Sequence, residues 1–573
     1  MKKKLLAAAL SAALAASLLT ACGSTGTEGA VSDTASEQAS GDASSQAAES
    51  ADTETSTETS TGDGTRNLIV PSSSTLSTLD STVASNSVDM TIIRSCNEGL
   101  YRDSKDGIVL SLASADDVSE DGLTHTFTIR DDAKWSNGDP ITAYDFEYSW
   151  KRLANPDTGA EYAEMLETAC IKNAEEVITG KMDVDQLGVH AEDDHTLVVE
   201  CSQYLPYFAD LLIMPCFYPE EQSFVEAQGD QYGMTADNVL YSGVFEVTDW
   251  EMGSDKVVLS KNPEFYDQSL SNLDTLTYQT ITDTATGVMA YQSGQLDVLQ
   301  ITGDYLDQYK DSDDIAYVNK ATLYYLQPNL AGDIFSNENI RQAFAHAIDR
   351  ESICTDILKD GSKPAGYLVV SNFAPNEDGE TFRDYVGKTY QDYDPDAAKQ
   401  YCEAGLKELG TDSVEVTLLY DDSDAIPNIV QFMQASMQET LPGLTLTLQA
   451  EPTAKARREI QATGDYDIAL TRWGSDYNDP STFMDLFKTD GSFNYGKYSN
   501  AEYDQLVTDA TGADIMDSEK RYQEYEKAEA LLLDTDAGIF PVWEVGSAYL
   551  IRQGVHVDFT VDSGYMYQYA SMD

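Results

Sequence analysis

Apolar and polar positions change rhythm along the chain. Over Leu123–Arg130, His125, Phe127 and Ile129 alternate with Thr124, Thr126 and Thr128, the two-residue period of a half-buried strand. Asp465–Pro480 opens the same way, with Tyr466, Ile468 and Leu470 opposing Asp467, Ala469 and Thr471. It passes through Trp473-Gly474 into a polar turn, Ser475 to Pro480, whose Asn, Asp and pre-proline residue all disfavour a ladder. Asn67–Ser72 predicts a short apolar strand. Helical spacing appears over Met90–Tyr101, through Ile92, Ile93, Cys96 and Leu100. It appears again after Thr142, a good N-cap with Asp145 three positions on, where Phe146, Trp150 and Leu153 share one face. Asp392–Asp396 puts acids at the start of a third helix, Ala397–Leu409.

The N-terminus follows another logic. Lys2, Lys3 and Lys4 precede an apolar run, Leu5–Leu19, too short for a permanent span, and the segment closes Leu19-Thr20-Ala21-Cys22. This resembles a bacterial lipobox, which makes residues 1–22 a lipoprotein signal peptide and Cys22 the lipid attachment point. The expected location is extracytoplasmic, tethered to the outer face of the bacterial cell membrane. Residues 23–66 are almost entirely Ser, Thr, Ala, Gly, Glu, Asp and Gln, a disordered acidic tether. As a flexible chain it would reach roughly 35 Å.

At 573 residues the chain needs two or three lobes. Asp+Glu number 99 against 35 Lys+Arg, a formal charge of −64 spread along the whole length. That balance argues against nucleic acid and anionic lipid surfaces, both of which are met with basic side chains. Cys96, Cys170, Cys201, Cys216, Cys354 and Cys402 contain no CxxC, and their spacing selects no disulfide pairing. Catalytic and metal signals are weak. Asp392–Glu403 imitates a calcium loop but has Ala397 where that loop requires glycine and Pro395 where it turns. His190 and His195 lie in a loop-like segment without a cysteine partner. No G-x-S-x-G, HExxH or phosphate-binding loop occurs, so the chain reads as a non-enzyme without metal or cofactor. On these residues alone, Asp476 is either a solvated turn acid or a carboxylate placed at a strand end to hold a small polar ligand.

Longer motifs narrow the choice. TFTIRDDAKWSNGDPITAYDFEYSWKRLANP, LGVHAEDDHTLVVECSQYLPYF from Leu187, VFEVTDWEMGSDKVVLSKNPEFY from Val244, QSGQLDV, NIRQAFAHAI and Asp465–Pro480 occur in one order. From about residue 67 to the C-terminus they resemble the oligopeptide-binding proteins of ABC importers, the OppA-like solute-binding protein family 5. The resemblance implies an α/β, two-lobed periplasmic-binding-protein-like (Venus-flytrap) fold with an extra subdomain beside lobe I. Lobe I would take residues 67–323 with the subdomain inserted at about 98–222, lobe II 324–542, and 543–573 would return to lobe I.

The implied function is capture of extracellular oligopeptides and delivery to ABC permease subunits, by a monomer. The alternatives are the same fold with another solute (oligosaccharide, haem or a nickel chelate), a surface peptide sensor or adhesin, and, from a third class, an extracellular hydrolase. Carried over by motif, Asp476 would meet the peptide's α-ammonium and Trp473 would flank it. Arg472 and Gly474 would offer backbone, Ser85, Asn86 and Ser87 would pair from lobe I, and Tyr162 would line the cleft. Arg472 departs from the family, which has a small residue there; it either narrows the pocket or adds a cation facing the ligand.

Overall fold

The computed structural model describes residues 65–573, apart from 106, 377, 378, 424, 562 and 563. The signal peptide, the lipobox Cys22 and nearly all of the tether lie outside the described residues.

Three sheets carry the architecture, and each takes its strands from distant parts of the chain. In the first, Asn67–Ser72 pairs parallel with Thr275–Thr280, which continues antiparallel to Lys256–Lys261 and Phe245–Asp249. The second is an antiparallel sheet of Ala113–Val118, Thr124–Ile129, Thr196–Glu200 and Val189–Asp193. His190, expected in a loop, thus lies on a strand. The third has seven strands. Val298–Ile301, Phe540–Ile551, Ile315–Pro328, Ile468–Gly474, Val414–Asp421 and Leu444–Glu451 lie side by side, with Lys363–Pro364 also on Phe540–Ile551.

Two strands of the third sheet join separate cores. The outer ends of Ile315–Pro328 and Phe540–Ile551 pack with Leu299, Ile301 and Leu306. Their inner ends place Tyr324, Leu326, Phe540 and Trp543 in the large core beneath Val414–Asp421. Between the two ends their mutual register shifts twice, at Asn319/Leu323 and at Tyr324/Tyr325. A ladder interrupted where a strand passes from one core to another bends more easily there than a regular one.

Local rules account for the helices. Ala143–Ala154 begins as the capping residues require: the Thr142 N–H donates to Asp145 Oδ2 at 2.8 Å, and Phe146, Trp150 and Leu153 are buried. Trp150 also donates its indole N–H to the Phe217 carbonyl at 2.9 Å. Pro395–Leu409 is capped by Asp394, which accepts from the Ala397 N–H at 2.9 Å. The expected helix over Met90–Tyr101 is corrected: it runs Ser87–Cys96, Asn97 turns extended, and Tyr101–Ser104 is a strand.

All six described cysteines are free thiols; five are buried and Cys170 is half-buried. Burial pushes the thiols of Cys201, Cys216 and Cys354 up to about 12 and that of Cys402 to about 11. The folded protein should therefore resist alkylation, because the thiolate is the reactive form. Once unfolded it should take up label at all six positions, with the same mass gain with or without reductant. A gain that requires reductant would contradict this.

Candidate ligand-binding site

The site is built on Ile468–Gly474. Its first half is held on both sides, by Ile315–Pro328 antiparallel and by Val414–Asp421 parallel, and Asp467 Oδ2 accepts from the Thr417 N–H at 2.8 Å. The parallel ladder stops at Leu419↔Ala469. The antiparallel one continues to Thr322↔Gly474, and the Ser475 N–H then reaches the Ala321 carbonyl at 2.8 Å. From Leu470 to Gly474 the strand therefore has a ladder partner on one side only, among the described strands. This half lies at the carboxyl end of the parallel strands, where open α/β sheets leave a crevice.

The turn that follows is rigid. The Asp476 N–H donates to Thr482 Oγ1 at 3.0 Å, and Asn478 Oδ1 accepts from the Ala374 N–H at 2.7 Å. Asp479 accepts from the Ser481 N–H at 3.0 Å through Oδ1, and through Oδ2 from Arg521 Nη2 at 2.7 Å; both ends of that ion pair are buried. The Tyr477 ring stacks on Tyr207 at 4.0 Å and 9°, which fastens the turn to the core around Phe127 and Trp150. Amid these ties the carboxylate of Asp476 alone has no hydrogen bond or ion pair among the described residues. Asp476 is exposed, yet the surrounding protein displaces enough water to hold its carboxyl above the ordinary aspartate value.

Trp473 points to the other face of the strand. It is half-buried against the core of Phe483 and Tyr503, and exposed Phe493 meets it edge-on at 4.6 Å. Its indole N–H is buried without a partner among the described residues. Arg472 is exposed and donates from Nη1 to the Tyr324 hydroxyl at 3.0 Å; Tyr324 in turn stacks on Trp543 at 4.2 Å. A side chain at Gly474 would meet Thr322 Oγ1 at 3.1 Å, so the strand surface beside the turn stays low.

The remaining sequence-derived residues sit on other elements. Asn86 is the N-cap of Ser87–Cys96, accepting from the Asp89 N–H at 2.9 Å, and exposed Ser87 opens that helix. Ser85 is half-buried just before it. Tyr162 is half-buried against the same core that receives Tyr207 and Tyr477. No hydrogen bond between described residues links these three groups. Sequence reasoning missed Tyr207, Asn478 and Phe493, whose partners are remote in the chain or whose exposure has no sequence signal.

A cavity of about 650 Å3 separates the elements, with Asp103 and Pro206 on one side, Tyr317 and Asn319 on the crossing strand, and Asn372 and Asn478 on the other side. A larger hollow of about 760 Å3 opens at the opposite end of Ile468–Gly474, by Asp465 and Glu459. It is remote from the unpaired carboxylate and the free strand edge.

A two-core α/β fold joined by crossing strands, with a crevice at the strand ends, defines a solute-binding protein. The family of bacterial extracellular solute-binding proteins, family 5 (middle), matches residues 107–495, and the chain belongs to it. It is 35% identical over 476 residues to a dipeptide-binding protein of Lactococcus lactis, covering 80% of this chain and 86% of the relative. Among solved structures, Listeria monocytogenes OppA bound to peptide has 35% identity and a TM-score of 0.66, over 89% of this chain and 99% of that one. The murein tripeptide binding protein MppA in its unliganded open form has 26% identity and a TM-score of 0.76, over 89% and 98%.

Proposed function

We propose that this is a lipid-anchored solute-binding protein that captures extracellular oligopeptides and delivers them to the permease subunits of an ABC importer. The observation that carries the reading is the strand edge left open from Leu470 to Gly474, ending at a fixed carboxylate without a partner. An extended peptide adding along that edge would satisfy backbone groups that every peptide shares, and its ammonium would neutralise Asp476. The names of the relatives, dipeptide-binding and oligopeptide-binding, support the same ligand class.

Trp473 and Gly474 would flank the ligand. Ser85 and Ser87 would approach it from lobe I and Tyr162 from the subdomain; Asn86 would contribute backbone, since its side chain caps a helix. Lobe I at 67–323 and 543–573 would close on lobe II at 324–542 about the two long strands, with the inserted subdomain at about 98–222 moving with lobe I. The higher TM-score to an open form than to a more identical peptide-bound one fits an open arrangement of the two lobes. Cys22 would carry the lipid, and the monomer would work at the outer face of the membrane.

Ligand that binds only the folded state raises stability by mass action. A mixed oligopeptide library titrated into the protein is therefore expected to release or absorb heat and to raise the melting midpoint. Neither heat nor stabilisation would overturn the reading.

A further inference from the structure

The turn that carries Asp476 is braced from a second core. Asn478 ties it to Ala374 and Asp479 ties it to Arg521, on the side of Phe483 and Tyr503. Tyr207 comes from elsewhere. It stands between buried Leu205 and Phe208, on the core of Phe127 and Trp150. No β-ladder joins the sheet of that core to the seven-stranded sheet among the described strands. The Tyr207–Tyr477 stack, at 4.0 Å and 9°, therefore spans two separately built bodies. Pro206 and Asn478, the neighbours of the two tyrosines, line opposite sides of the 650 Å3 cavity. A second contact from the same segment crosses the same way: Gln203 Nε2 donates to the Thr511 carbonyl at 3.4 Å. The stack is shielded from water. Burial raises the Tyr207 hydroxyl above the ordinary tyrosine value and that of Tyr477 to about 12.

We infer that Tyr207 is a positioning residue for ammonium capture. By clamping Tyr477 from the opposite core it aims the Asp476 carboxylate, and so sets how strongly the protein prefers peptides with a free amino end. This rests on the peptide reading above. The Asp476 side chain has no hydrogen bond or ion pair among the described residues to hold it, so its direction is set by the backbone on either side. On one side the Asp476 N–H is fixed to Thr482 Oγ1 at 3.0 Å; on the other the Tyr477 ring is fixed by Tyr207. A charge-assisted hydrogen bond is short and directional, so a carboxylate loosened by a fraction of an ångström binds its cation less well. The coupling is reciprocal. An ammonium that needs the aimed carboxylate stabilises the stack, which links ligand capture to the approach of the two cores. A stacked aromatic pair supplies a factor of about three to ten in an equilibrium constant, and that bounds the effect.

Calorimetry on the full-length protein tests it, with a lysine-free oligopeptide library and the same library N-acetylated. Wild type, Tyr207→Phe and Tyr207→Ala are compared. Wild type should prefer the free library. Tyr207→Ala should cut that preference about threefold to tenfold, through weaker binding of the free peptides. Tyr207→Phe should keep it, because a phenyl ring stacks equally well. Loosening of the Phe127 core as a whole would weaken both libraries alike and leave their ratio untouched. An unchanged ratio in Tyr207→Ala would therefore overturn the inference. A phenylalanine variant as poor as the alanine one would overturn the assignment to stacking. A wild type that binds both libraries equally would overturn the ammonium role and this inference with it, and leave the peptide reading standing. Binding of neither library would overturn the peptide reading as well.

Discussion

Asp476→Asn is expected to weaken peptides with a free amino end by about a hundredfold or more, the scale of removing one partner from an enclosed ion pair. N-acetylated peptides should lose far less. The substitution is clean because the turn is held by other atoms: Thr482, Ala374, Arg521 and the Tyr207–Tyr477 stack all bind partners other than the Asp476 carboxylate. The variant should therefore melt as the wild type does. pH supplies a second readout. Dehydration holds the free-state carboxyl above its ordinary value, and a bound ammonium would pull it down. Binding then favours the ionised form, so affinity should fall with pH between about 7 and about 4 in the wild type. The part of that slope due to Asp476 should vanish in the variant. Equal losses for free and acetylated peptides would refute the ammonium role.

The sequence resolved local features and missed those made by distant partners. Alternation located Thr124–Ile129 and the strand leading into Trp473, because each buries one face and the period survives in the residues. The capping pair Thr142/Asp145 marked its helix because both partners are neighbours. The helix expected to reach Tyr101 fails because Leu100, whose spacing continues the apolar stripe, is buried in the core of Phe127 and Trp150 and not beneath the helix. A buried position looks the same whichever core receives it. The candidate site shows the same division. Motif resemblance singled out Asp476 and Trp473. The open strand edge depends on where Val414–Asp421 stops pairing, which is not written in local sequence. The lobe limits implied by resemblance, near 323 and 542, both fall inside the long strands Ile315–Pro328 and Phe540–Ile551, where the register shifts occur.

The second large effect concerns stability. Arg152, on the helix Ala143–Ala154, grips Asp80 with both terminal nitrogens, at 2.8 and 2.6 Å, and reaches both oxygens of Glu220 at 3.0 and 2.9 Å. Glu220 is fully buried and also accepts from Thr82 Oγ1 at 3.0 Å. One cation thus serves two carboxylates and ties the core holding Leu79 to the core holding Trp150. Burial, followed by the charge of Asp80, pushes the Glu220 carboxyl up to about 7 against the pull of Arg152. Arg152→Met would leave two enclosed carboxylates facing each other, a change that costs about 3–5 kcal/mol when a buried pair is broken. The sign of the pH dependence follows from the raised value. An acid that ionises at higher pH in the fold than in the unfolded chain imposes no penalty below its unfolded value, about 4.3, and a growing one as pH rises through the interval. Without the guanidinium that interval widens. The variant should be nearest to wild type at about pH 5 and furthest from it at about pH 7.5 in chemical denaturation. Adding Glu220→Gln should recover much of the loss, because a neutral amide needs no cation. A deficit that is the same at both pH values, and untouched by the second substitution, would mean that Arg152 acts through packing on Tyr232, over whose ring it lies at 5.4 Å, and not through charge.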